Sequence, residues 1–188
     1  LRGWAVAGRH AYLPAIGRHE VLVVDTTTWA EVGRIPVAGQ PVFVMARPDG
    51  RQVWVNFAVP DYDTVQVIDT QTRQVVHSLK PGKAVLHMEF TPRGDTVWIS
   101  ARDDHHVSVI DTASFRTLAV LPAKSPSGIF FASRAARTGF CRRAPGSAQA
   151  VAARGPGRSV RVVHVVVGQR PRHAGSPAER MATWVSPV

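Results

Sequence analysis

Val65-Gln-Val-Ile-Asp69-Thr-Gln-Thr-Arg73 has two close copies in the same chain. Upstream stands Val21-Leu-Val-Val-Asp25-Thr-Thr-Thr-Trp29, and downstream Val107-Ser-Val-Ile-Asp111-Thr-Ala-Ser-Phe115. A second register runs beside the first: Arg47-Pro48-Asp49-Gly50-Arg-Gln-Val-Trp54-Val matches Thr91-Pro92-Arg93-Gly94-Asp-Thr-Val-Trp98-Ile. Such spacing, with self-similarity every 42–44 positions, is the mark of a repeat architecture. Pro-x-Gly suits a tight turn, because proline presets φ and glycine accepts φ > 0. Val53–Val55 and Val97–Ile99 follow as strands, and Val65–Ile68 and Val107–Ile110 are β-branched runs. Asp-Thr-x-Thr/Ser turns the chain through side-chain-to-backbone hydrogen bonds. Val75–Leu79 and Thr117–Leu121 complete each unit as return strands.

Four short strands in roughly 40–45 residues make one blade of a β-propeller. The expected fold is therefore all-β, with residues 1–139 supplying about three consecutive blades. A propeller closes with roughly 4–8 blades, so this is read as a fragment of a longer ring. Its open sheet edges would invite association. The start at Leu1-Arg2-Gly3-Trp4, with neither Met nor leader-like pattern, reads as internal.

Composition divides the chain near Gly139–Phe140. Residues 1–140 hold 15 Lys and Arg against 12 Asp and Glu, whereas residues 141–188 hold eight Arg against Glu179 alone. The net charge of +10 thus belongs mostly to an Arg/Ala/Gly/Pro-rich tail, 140–188, with one strand-like run, Val160–Val167. A basic arm for nucleic acid or membrane and a disordered linker are two readings of it. The preferred one is out-of-frame translation of a GC-rich gene, so no nucleic-acid partner is expected. The single cysteine, Cys141, excludes an internal disulfide framework. No apolar run approaches the ~20 residues of a transmembrane helix.

The repeat is similar to the YVTN-type propeller repeats, a functionally mixed group. A narrower resemblance lies between the repeats. Ala84-Val-Leu-His87-Met-Glu-Phe90-Thr-Pro-Arg-Gly94-Asp-Thr-Val-Trp98-Ile-Ser resembles a segment of the haem d1 domain of cytochrome cd1 nitrite reductase, and Ser125-Pro126-Ser127-Gly128-Ile129-Phe130 resembles an element near that domain's end. The resemblance covers residues 10–138 and implies an eight-bladed propeller, when complete, with haem d1 in its central well. Within this family the chain looks most like the accessory proteins required for making haem d1. The reductases carry a second active-site histidine one blade earlier, where this chain has Ala46, and no Cys-x-x-Cys-His motif for c-type haem occurs. Nitrite reduction is thus disfavoured.

What the resemblance implies is a protein of haem d1 biosynthesis that binds haem d1 or a late precursor, oxidising a side chain by a dehydrogenase-like step or handing the cofactor on. Nitrite reductase and other d1-assembly proteins are the partners it suggests. The compartment it implies is the periplasm, with lipoprotein anchoring in some members and cytoplasmic location in others. A non-enzymatic YVTN-type scaffold is the alternative. His87 is the leading catalytic candidate, as a proton donor or an iron ligand, since a neutral imidazole can do either. Gly128 and Phe130 are candidates for the wall of a flat pocket. Asn56 and Arg102, each after a Val-Trp strand and read as the same blade position, are candidates for the macrocycle's carboxylates. His105-His106 reads as a solvated turn, and Trp54 and Trp98 as blade packing.

Overall fold

β-Branched runs punctuated by turns fold as short strands, and in the computed structural model twelve of them lie between Ala5 and Pro122. The structure describes residues 3–131 and, beyond these, two short strands. The first sheet is β1 (Ala5–Ala7), β2 (His10–Ala15), β3 (Glu20–Asp25) and β4 (Glu31–Pro36). The second is β5 (Pro41–Ala46), β6 (Gln52–Phe57), β7 (Val65–Asp69) and β8 (Gln74–Leu79). The third is β9 (Val85–Phe90), β10 (Thr96–Ala101), β11 (His106–Asp111) and β12 (Thr117–Pro122). Each is a four-stranded antiparallel meander, and the described residues include no helix. Within Val160–Val167, β13 (Val162–Val165) pairs with β14 (Ala182–Val185). The boundary near residue 139 and the rest of the tail lie outside the described residues.

The repeated turns explain the repeated letters. Asp25 Oδ1 accepts the backbone N–H groups of Thr27 and Thr28 at 2.8 and 3.0 Å. Asp69 accepts those of Gln71 and Thr72, and Asp111 those of Ala113 and Ser114, at 2.7–3.1 Å. Each turn ends on a residue at positive φ: Trp29, Arg73 and Phe115. The threonine after each aspartate serves a different joint. Thr70 Oγ1 donates to Gly50 O at 2.7 Å, and Thr112 Oγ1 to Gly94 O at 2.5 Å, tying the strand end to the Pro-x-Gly hairpin of its own blade. Gly50 and Gly94 sit at φ 72° and 77°, which side-chain-bearing residues resist.

Sheets pack face to face through their alternating apolar residues. Tyr12, Val21, Val23 and Ile35 of the first meet Val44, Val53, Val55 and Ile68 of the second. Trp54, Val65 and Val67 of the second meet Met88, Phe90, Val97 and Ile99 of the third. Trp54 is fully buried, edge-on to Phe90 at 5.8 Å, and Trp98 is edge-on to Phe131 at 5.6 Å. Both are packing residues. β4, β8 and β12 carry the most exposed residues, whereas β5 neighbours β1 on one side and β9 on the other. The first strand of each blade is thus the inner strand.

A candidate site on the inner strands

The inner strands β5 and β9 are irregular at the same place. Between Pro41↔Phe57 and Phe43↔Asn56, β5 uses one residue more than β6. Between Val85↔Ala101 and Met88↔Ile99, β9 uses one more than β10. Such bulges bend a strand and re-aim a side chain. The ladder registers equate Phe43 with His87 and Asn56 with Ser100. Ala46 lies three residues further along β5, and Phe43 occupies the position equivalent to His87.

The consequence is a row of three half-buried rings. The His87 ring stands 5.0 Å from Phe43 on one side and 5.1 Å from Phe130 on the other, tilted 48° and 41°. Gly3 lies against the Phe43 ring, where a Cβ would collide with it. Gly128 makes room in the same way, since a Cβ would come within 3.1 Å of Phe130. The missing side chain of Gly128 accommodates the protein's own phenylalanine.

His87 is held at backbone and ring. Its N–H donates to Ser100 Oγ at 2.9 Å, and that oxygen lies 3.2 Å from His87 O and 3.0 Å from Ser127 O. The backbone N–H of Ile129 donates to His87 Nδ1 at 3.3 Å. A nitrogen that accepts a hydrogen bond carries no proton, so a neutral His87 holds its proton on Nε2.

The other candidates part company. Asn56 is buried inside β6, and its Nδ2 donates to Val85 O at 2.6 Å, joining the second blade to the strand that carries His87. Its Oδ1 is buried with no hydrogen-bond partner. Arg102 is exposed, its guanidinium 3.9 Å from Asp103, and its backbone N–H donates to Ala84 O. The expectation that Asn56 and Arg102 share one blade position is corrected by the ladder: the equivalent of Asn56 is Ser100. His105 and His106 also diverge. Ser125 N–H donates to His105 Nδ1 at 3.1 Å, whereas His106 Nε2 lies 2.9 Å from Pro81 O.

Sequence reading singled out neither Phe43 nor Ser100. The 44-residue period relating Phe43 to His87, and Asn56 to Ser100, was the available signal.

Residues 2–135 match the family model of the cytochrome D1 heme domain. Protein NirF of Stutzerimonas stutzeri is 57% identical over 140 residues, and Protein NirF of Pseudomonas aeruginosa 55%. Each match covers 74% of this chain and 36% of the relative. The dihydro-heme d1 dehydrogenase of Pseudomonas aeruginosa is 32% identical over 130 residues, 66% of this chain and 26% of that one. Among solved structures, hydrazine synthase of Kuenenia stuttgartiensis superposes with a TM-score of 0.59 at 25% identity, covering 68% of this chain and 38% of that one. Dihydro-heme d1 dehydrogenase NirN, in complex with DHE, gives 0.58 at 28% identity, covering 63% and 26%. The chain therefore spans little more than a third of the length of the NirF relatives. Matched over nearly all of its three blades, it belongs to the cytochrome d1 haem domain family and is NirF-like within it.

Proposed function

We propose that the protein acts in haem d1 biosynthesis by binding a late d1-type tetrapyrrole as its cargo on the inner-strand face of Phe43, His87 and Phe130. The observation that carries this reading is the ring row itself, set on two equivalent bulges with a histidine at its centre. Aromatic rings offer apolar contact to a flat macrocycle, and a few placed polar groups fix its orientation. The macrocycle brings a redox-active iron and acidic side chains. His87 would serve that ligand as a proton-bearing group through Nε2. Ligation of iron through Nε2 in the neutral form would move the proton to Nδ1, where it would face the Ile129 N–H. The donor role therefore agrees better with this geometry than the ligand role. Asn56 Nδ2 is engaged with Val85 O, and the Arg102 side chain stands in solvent, so neither enters this reading.

Cargo binding followed by transfer to another d1-assembly protein or to nitrite reductase is the activity this reading favours, in the periplasm. No helix of the described residues is long and apolar enough to cross a membrane. The test is titration of purified haem d1 into the protein, followed by its absorption spectrum, beside His87→Ala. The expected outcome is a saturable band shift for the wild type and at least tenfold weaker binding, or an altered band, for the variant. A wild type that leaves the spectrum of haem d1 unchanged would sink the proposal. Binding indifferent to His87 would return the inner strands to a scaffold role.

A further inference from the structure

We propose that Ser100 is the positioning residue for His87, acting as a latch that sets both the path of the bulge and the proton on the ring; this rests on the reading of His87 above. The side chain of Ser100 is fully buried and faces three groups of the backbone. It accepts the His87 N–H at 2.9 Å and can give its one proton to His87 O at 3.2 Å or Ser127 O at 3.0 Å. The first two contacts close the bulge, where the ladder lacks a backbone pair between β9 and β10. The third fastens the segment that follows the third blade. That segment brings the Ile129 N–H to His87 Nδ1 and the Phe130 ring to 5.1 Å from the imidazole. One hydroxyl thereby governs the backbone, the tautomer and one aromatic neighbour of the same histidine.

The second blade supplies the control. Asn56, the equivalent of Ser100, also reaches across to the next inner strand, from Nδ2 to Val85 O at 2.6 Å. Yet its Oδ1 has no hydrogen-bond partner, so it does nothing for the bulge at Phe43. The tie between blades is common to both positions. Closure of the bulge on the residue's own blade belongs to the position that faces a histidine.

Three variants of the full chain separate the jobs. Ser100→Thr keeps the hydroxyl, Ser100→Asn keeps the reach to the next strand as Asn56 does, and Ser100→Ala removes both. The readout is the nitrogen-15 spectrum of the His87 ring in the ligand-free protein at about pH 8, where an ordinary imidazole is neutral. Wild type and Ser100→Thr are expected to show one protonated and one bare ring nitrogen, with Nδ1 bare. Ser100→Asn is expected to draw the two resonances toward each other as both tautomers become populated, and to shift the Ile129 amide, with the thermal midpoint near wild type. Ser100→Ala is expected to do the same at a lower midpoint; should it fail to fold, the Asn and Thr pair decides. An unchanged His87 ring in Ser100→Asn would overturn the proposal. If haem d1 fails to bind the wild type while the ring responds as stated, the cargo reading falls and the latch stands.

Discussion

Asn56 and Trp54 lie two residues apart on β6 and illustrate how burial assigns roles. Trp54 fills the space between two blades, with its Nε1 donating to Gln52 at 3.1 Å. Trp54→Ala should cost about 3–5 kcal/mol, the range for deleting a buried large aromatic. Chemical denaturation would read that loss, and a cost under about 1 kcal/mol would argue against the packing. Asn56→Ala removes the bond to Val85 O and also an unpaired oxygen, so its cost should be smaller, about 1–3 kcal/mol. Its effect on haem d1 binding should come only through stability, since no atom of Asn56 is offered to the inner face. At this scale the sequence was partly legible. His87, Gly128 and Phe130 stood out by resemblance and do come together in space. Phe43 did not, because an apolar residue in an apolar strand carries no mark until a bulge turns it toward a histidine. Asn56 is a candidate for the macrocycle's carboxylates by sequence, because a single polar letter after a strand does not reveal that its side chain is buried and bonded to Val85 O.

The Asp-Thr turns belong to the scale of the element. In each, backbone N–H donors, first those of Thr28, Thr72 and Ser114, hold the Asp25, Asp69 and Asp111 carboxyls below the usual carboxylate range. A carboxyl whose pKa is lower in the folded than in the unfolded chain stabilises the fold above its unfolded value, about 4. That contribution is lost as pH falls through the folded value. The thermal midpoint should therefore hold near neutral pH and drop below about pH 4. Asp69→Asn should be somewhat less stable than wild type near pH 7 and lose less on acidification; parallel curves for the two would contradict the assignment. Asp69→Ala should cost about 1 kcal/mol, a modest figure because the turn is partly solvated. These elements were the most legible part of the chain. Turn chemistry is local, so Asp-Thr, Pro-x-Gly and β-branched runs specify their hairpins wherever they occur. The bulges in β5 and β9 were not legible, because no local turn motif marks them; at β9 the hydroxyl that spans the bulge comes from Ser100 on the neighbouring strand.

Across residues 3–131, three meanders set their first strands side by side and turn their last strands outward. The period alone pointed to that arrangement, since four strands per 42–44 residues leave little choice of topology. A binding face built this way should be confined to the inner strands. Amide hydrogen exchange with and without haem d1 tests this most directly. Protection is expected in β5 (41–46), in β9 (85–90) and around residues 127–131, with β4, β8 and β12 unchanged. Protection on the outer strands, or none anywhere under saturating haem d1, would contradict the claim that the row of Phe43, His87 and Phe130 receives the tetrapyrrole.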